Sequence, residues 1–592
     1  MKHNAFYLIF GIATAALSCS CDDFLDRPTE DSYNQDNYYQ NDTQCKAGVN
    51  YLYNSPWYDY QRGFLKVGEE LSGNFIWTTQ SPYRSFTVNG SNEDLINLSY
   101  SLWAEISHCN AVYDNLAKSK GSENVVKQLQ GECLTLKAMA YFNLVRTFGE
   151  IPLVHNNTES LNAGDYNTYP KMYKSDVYEY IAYTLETAME LMKGQTADKG
   201  HVDYYAAEGL LAKVYLTKAG VTGSLNQSDL ENAAKYAKDV INNSGRKLES
   251  NYEDIFILGN RFTDEGLIVL RWTADGSNWT RQNSYQSDLG LMGMDDMGAC
   301  WGDWSGFTPD MQEAFGVKLL EQTPNDWIAN VDTRLHATMM LPGFVYKQFW
   351  QDKGGFDYIK AMYGIALGSD YKLTNDGVQS PTGSNTVKHI YGNTYDHQAG
   401  AGSADQRMAS SVPTFLLRLS DVYLVYAEAM LGSSRASSTS SEVIDAFMAV
   451  RNRAIPSAKR PAQVSWEDIW KERRLEFAME GDRWFDFVRR SYYDYEGCKA
   501  ELLEQKRNQF WNLDPLYKGY ATAGSWDVAA AGAVYDTDFS KPNVDMLSLK
   551  DSETAMYFAL PFPTEDVTFN PLLGSDKHAE GDHVDVRTVY AY

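Results

Sequence analysis

Apolar positions along the chain recur mostly at helical spacing. The longest stretch where all local signals agree is Ser465 to Arg490, SWEDIWKERRLEFAMEGDRWFDFVRR. Trp466, Ile469, Trp470, Phe477, Trp484, Phe485 and Val488 supply its apolar anchors, and charged residues fill the positions between them. Ser465 with Asp468 forms a capping pair, Glu467 and Asp468 fall in the first turn, and Arg489 and Arg490 fall in the last. The pattern predicts a helix that Gly481 bends or breaks in two. Arg473 with Glu476, and Glu480 with Arg483, stand three apart and predict local ion pairs. So many aromatic groups require burial against other helices.

Further helices are predicted at residues 94–118, 132–149, 175–193, 204–219, 230–243, 415–431 and 441–453. In residues 132–149 the stripe Leu134, Ala138, Tyr141, Val145, Phe148 advances by four, three, four and three; Gly149 stops it and Pro152 prevents its resumption. In 415–431 the stripe is Leu419, Val422, Tyr426, Ala429. Between about Ile268 and Pro413 periodicity fades and Gly, Ser, Asn, Asp and aromatics take over. An irregular stretch of that length is expected to carry a functional surface rather than to be a linker.

Composition adds constraints. The 592 residues are 44% hydrophobic and 22% charged, with mean hydropathy −0.44, enough apolar content for a large core. The formal net charge of −26 argues against a nucleic-acid partner. Lys2 precedes an uncharged run from Ala5 to Leu17, thirteen residues, too short to span a bilayer but the length of a secretory signal's apolar region. Cys19 and Cys21 each end an imperfect bacterial lipoprotein box. Acyl chains on such a cysteine would anchor the chain without spanning. The remaining cysteines, Cys45, Cys109, Cys133, Cys300 and Cys498, are odd in number and lack the short paired spacings of a disulfide or zinc framework.

A family resemblance appears in the same stretches. Glu472-Arg473-Arg474, Glu476-Phe477, Glu480-Gly481, Arg483 to Asp486 and Arg489 resemble the C-terminal signature of the SusD/RagB family, surface lipoproteins of glycan-foraging Gram-negative bacteria. Leu136 to Arg146 with Gly149 and Ile151-Pro152-Leu153, then Ala212 to Leu216, Arg418 to Leu424, Ala427-Glu428-Ala429, Val450 to Arg453, Leu560 to Pro563 and Asn570-Pro571 match it in order. Cys21-Asp22-Asp23-Phe24-Leu25-Asp26 resembles the family's mature start and selects Cys21 as the lipidated residue, with 1–20 as signal peptide.

The resemblance implies a mostly α fold with tetratricopeptide-like helix pairs as scaffold, a helical half at 21–267, and a second half at 268–592 containing the irregular ligand-binding region. It also implies no enzyme: a glycan-binding protein on the outer membrane that caps a SusC-like TonB-dependent transporter. A RagB-like peptide binder and a secreted glycosidase are the alternatives.

Candidate chemistry is sparse. P-loop, dinucleotide-glycine, HExxH and GxSxG patterns are missing, so no cofactor is expected. Glu476, Glu480 and Asp486 could be catalytic carboxylates, but matched arginines make a structural network the better reading. Asp295 and Asp296 could be paired acids or calcium ligands. His578, Glu580, Asp582 and His583 read as a solvated terminus rather than a metal site.

What remains is aromatic display. A sugar wants a flat aromatic under its C–H face and polar groups at its rim. Trp77 and Tyr83 with Arg84 and Asn89 offer that mixture in one loop. Trp279, Trp301 and Trp304 with Arg281 and Asp303 offer it in the irregular segment. Phe86, in the first loop, adds a further ring.

Overall fold

The computed structural model describes residues 38–274, 283–537, 558–575 and 583–592. Helices Ser55–Leu65, Glu93–Ala117, Glu123–Phe148, Lys174–Met192, Tyr204–Lys218 and Gln227–Asn243 pack each on the next, and the series continues through Leu419–Ala429 to Ser441–Ala454. The loop between the two longest helices runs only from 118 to 122, so the chain reverses there and neighbours run antiparallel. Caps fix their starts. The side chains of Asn92, Asp203 and Asn226 accept from the backbone N–H groups of Leu95, Ala206 and Asp229. At the end of Glu123–Phe148, Gly149 turns with φ 77°, a conformation that favours glycine.

That helix is more central than its stripe indicates. From Gly131 to Phe148 every residue is buried, so its polar face must find partners inside. Glu132 accepts from Tyr53 Oη at 2.9 Å and pairs with His201 at 2.7 Å. Arg146 reaches Asp482 at 2.9 Å, 336 residues away in sequence.

Ser465–Arg490 breaks in two around Gly481, as expected: Trp466–Glu476 and Arg483–Ser491 are separate helices, and in the loop between them Met479 and Gly481 take φ of 61° and 77°. The capping box at Ser465 and Asp468 is present. The helix expected from 415 instead begins at Leu419, because Thr414–Arg418 is a strand paired antiparallel with Gly266–Leu270. A short apolar run such as Phe415-Leu416-Leu417 satisfies either period, and the partner strand decides it. The expected half boundary at 267/268 falls inside that paired strand, and one hydrophobic core runs from Tyr39 to Val586.

The expected local ion pairs are replaced by long-range ones. Arg473 donates to Asp486 at 3.0 Å and to Asp421 at 2.5 Å. Glu480 receives Lys388 at 2.8 Å and Arg418 at 2.7 Å. Arg418 also donates to Glu265 at 2.6 Å and Glu476 at 3.1 Å, and Arg334 binds Glu472 at 2.7 Å. Burial would raise the Glu476 carboxyl, but the guanidiniums of Arg453, Arg418 and Arg334 overcome it and hold it below the usual carboxylate range. These carboxylates are buried and fully engaged, so they tie helices together and meet no substrate.

Candidate ligand-binding surface

A π-helical turn, Lys66–Glu70, follows helix Ser55–Leu65 and leads into strand Phe75–Ile76. That strand pairs antiparallel with Gly306–Phe307, Ile76 opposite Gly306. Trp77 follows the first strand directly and Trp304 and Ser305 precede its partner, so one short ladder joins two segments more than two hundred residues apart. A Cβ on Gly306 would lie 2.3 Å from Ser380 Oγ, so the ladder needs glycine there.

Trp77 is half-buried, and its backbone N–H donates to Glu70 Oε1 at 2.5 Å. Glu70 also accepts from Ser81 Oγ at 2.7 Å. Burial pushes its carboxyl up to about 7. Lys66 stands 5.0 Å from the Trp77 ring centroid and donates to Asp94 at 2.7 Å. On the facing segment, Trp301 N donates to Ser287 O at 2.9 Å and its indole N–H to Asp288 Oδ1 at 3.1 Å. Burial raises the Asp288 carboxyl against the opposing charges of Lys66 and Arg62. Trp301 is 40% and Trp304 63% exposed, unusual for so large an apolar ring. Burial likewise raises the Asp303 carboxyl.

The result is a half-buried indole, Trp77, beside Lys66 and its partner Asp94, and an exposed indole, Trp301, bonded to Asp288, whose carboxyl feels the charges of Lys66 and Arg62. Tyr58 belongs with them, hydrogen-bonded to Ser284 with Arg62 and Asp288 close by. Sequence reasoning missed Tyr58, Arg62, Lys66 and Asp288. The i, i+4 spacing of Tyr58, Arg62 and Lys66 was a usable signal for one mixed aromatic and cationic face.

Tyr83, Arg84 and Phe86 are not available to a ligand. Tyr83 is buried and donates to Asn92 at 2.7 Å; Arg84 is buried and donates to Thr79 O at 2.5 Å and Asn508 at 2.9 Å. Both hold the loop in place, a correction to their expected role. Phe86 is core, 5.9 Å from the Trp484 ring. Asn89 is exposed, its Oδ1 accepting from Ser91 N in a turn whose Gly90 carbonyl accepts from Thr564 N. Trp279, Arg281, Cys19, Cys21, His578, Glu580 and Asp582 lie outside the described residues. His583 pairs with Asp176 at 2.9 Å. Asp295 accepts from Ala299 N within its own turn, whereas Asp296 faces solvent, so the two do not converge as catalytic acids. Among the described residues no three metal-ligating side chains cluster.

Comparison with known proteins agrees with this architecture. Residues 265–575 match the SusD family model and residues 23–216 a model described as starch-binding associating with outer membrane. The chain belongs to the SusD family. A SusD-like protein of Bacteroides ovatus is 30% identical over 583 residues, covering 95% of this chain and 96% of that one. SusD-like protein P2 of Formosa agariphila is 25% identical over 68% of this chain and 73% of its own length. A crystal structure with xylogluco-oligosaccharide superimposes with TM-score 0.73 at 25% identity, covering 91% of this chain and all of that one. A SusD-like carbohydrate-binding protein of Bacteroides fragilis shares the fold with TM-score 0.66 at 20% identity, over 90% of this chain and 99% of that one.

Proposed function

We propose that this chain is a non-catalytic, cell-surface lipoprotein that binds oligo- or polysaccharide and delivers it to a SusC-like TonB-dependent transporter in the outer membrane. The observation that carries the reading is the exposure of Trp301 and Trp304, with the Trp301 indole N–H on Asp288, in a segment that a short ladder joins to the one carrying Trp77, Lys66 and Glu70. Indole faces cover the C–H face of a sugar, and the charged rim exchanges hydrogen bonds with its hydroxyls. The relative crystallised with xylogluco-oligosaccharide supports a neutral glycan as first ligand to try. Membership of the SusD family, and the outer-membrane description of one matching model, support the location and the transporter partner.

Covering about 100 Å² of apolar surface by one sugar face contributes roughly 2 to 3 kcal/mol before association costs. Trp301→Ala and Trp304→Ala should therefore each weaken xyloglucan-oligosaccharide binding about tenfold, equivalent to ~1.4 kcal/mol. Trp77→Ala should do the same. Removal of an exposed ring should leave the melting temperature nearly unchanged, since surface substitutions stay within about 0.5 kcal/mol. Calorimetry of binding and of unfolding on the same variants checks this. Normal binding by Trp301→Ala and Trp304→Ala, or binding of peptides but of no glycan, would sink the reading.

A further inference from the structure

A second cleft, of about 740 Å³, opens between the loop around Lys193 to Asp203 and strand Gly266–Leu270. None of its lining residues belongs to the tryptophan surface. Two arginines meet in it. Arg246 donates through Nη2 to Asp203 at 2.8 Å, and Arg271 donates through Nη1 to the Gly200 carbonyl at 3.2 Å. The Nε–H groups of both are buried and, among the described residues, donate to no acceptor. Among the described residues Arg271 has no carboxylate partner. Burial lowers its pKa, and the like charge of Arg246 lowers it further. Beside them Lys199 and Arg261 gather with Arg271 around the exposed Phe262 ring, at 4.7, 5.3 and 5.3 Å from its centroid.

In a chain of net charge −26, such a collection of cations is selective for a local anion rather than a product of overall charge. The acids nearby are mostly spent. Asp198 is paired with Lys46 at 2.8 Å and Asp203 with Arg246. Asp239 lies against Glu208, whose carboxyl burial and that neighbour push up to about 8. Asp264 stands exposed at the rim. The volume is that of an organic ligand's pocket, about 300 to 1,000 Å³, rather than of a bare ion. Its walls add the rings of Tyr204 and Tyr205, packed edge to face at 5.2 Å, and the hydroxyls of Ser244 and Thr263. Rings and hydroxyls suit a polyhydroxylated ligand, and paired guanidiniums suit a carboxylate or sulfate.

We propose that this cleft is a second ligand site for an acidic saccharide, its uronate carboxylate or sulfate ester seated between Arg246 and Arg271. The site is independent of the tryptophan surface. Titration calorimetry on the full chain should use an oligogalacturonide, the same oligosaccharide with its carboxyls reduced, a sulfated galactan oligosaccharide and inorganic sulfate. An acidic oligosaccharide is expected to bind with an affinity that falls as salt rises, and the reduced form at least tenfold more weakly. Arg271→Gln should cost at least tenfold while Trp301→Ala changes nothing. Should Arg271→Gln lower the melting temperature, Lys199→Gln at the exposed edge replaces it, with a severalfold loss expected. Equal binding of the reduced oligosaccharide, binding of neither acidic oligosaccharide, unchanged affinity in Lys199→Gln, or loss on Trp301→Ala would each overturn the proposal. So would inorganic sulfate competing as strongly as the oligosaccharide, which would mean an adventitious ion only.

Discussion

Arg418 shows how much one side chain can hold. Its guanidinium, buried at the end of strand Thr414–Arg418, reaches Glu265 from one segment and both Glu476 and Glu480 from another. Truncating one partner of a buried ion pair leaves the other charge uncompensated and costs about 3 to 5 kcal/mol. Arg418→Ala should lose at least that much in urea denaturation, with ligand affinity of the surviving folded fraction unchanged. A loss under ~1 kcal/mol would show that water reaches the network. Arg483, three residues from Glu480, has a different role from that expected. It stacks 3.7 Å from the Trp470 ring centroid and reaches Glu501 at 3.3 Å and Asp486 only at 3.8 Å. Glu70 has the opposite electrostatics to Glu476, since its burial outweighs the hydrogen bonds from Ser81 and Trp77 and the charge of Lys66. With a folded pKa of about 7 against 4.5 unfolded, the native state keeps its proton longer than the unfolded chain. Its contribution to stability is complete below pH ~4.5 and is lost as pH rises through about 7, roughly 3 kcal/mol in all. Denaturation at pH 5 and pH 8 should show a drop that shrinks by about that amount in Glu70→Gln. Identical drops in the two proteins would exclude Glu70 as the titrating group.

Between elements, the decisive contact joins the loop after Trp466–Glu476 to the π-helical turn before Trp77. Gly68 and Gly481 meet backbone to backbone: a Cβ on Gly68 would stand 2.1 Å from the Gly481 carbonyl oxygen. Glu69 accepts from Gly481 N at 2.8 Å beside that contact. Gly68→Ala should therefore destabilise by at least ~1 to 3 kcal/mol, the usual cost of overpacking. It should also weaken glycan binding, because the turn that moves carries Trp77 and Glu70. Wild-type affinity in this variant would show that the two are mechanically separate. This contact also marks the limit of what local pattern reveals. Most helices from 93 to 243 were legible because period and terminators agree within each segment, but Glu123–Phe148 begins nine residues before the expected 132, and Asn157–Ala163 was not expected. Gly481 was legible as a break, but its reason, a glycine more than four hundred residues away, was not. Likewise i, i+3 spacing proposed partners for Arg473 and Glu480 that tertiary packing replaced with Asp421, Asp486, Lys388 and Arg418. Trp301 and Trp304 stand exposed as read, whereas Tyr83 and Arg84 share their loop chemistry but are buried by contacts with Asn92 and Asn508. Local composition cannot separate those two outcomes, because burial of a loop is decided by what packs over it.

At the scale of the whole molecule, the remaining question is how a body of this kind is held where glycans arrive. Among the described residues no helix is long and apolar enough to cross a membrane, and the uncharged run Ala5 to Leu17 is a secretory-signal length. Attachment is therefore proposed to rest on lipid at Cys21. One acyl chain binds a bilayer only marginally, with an equilibrium constant near ~10⁴ M⁻¹, so stable residence needs more than one chain or a second signal. Overall charge does not supply that signal: removing residues 1–20, whose only charged side chain is Lys2, takes the formal charge from −26 to −27, which an anionic surface repels. The acyl chains must then do the anchoring alone, and losing the cysteine that bears them should release the protein completely rather than partly. Cys21→Ala, expressed in an outer-membrane host, should move the protein from the membrane pellet to the soluble fraction at wild-type melting temperature. Cys19→Ala should stay in the pellet, digested by protease added to intact cells as wild type is. Release by Cys19→Ala with retention of Cys21→Ala would reassign the anchor. Retention of both would require a protein-borne attachment.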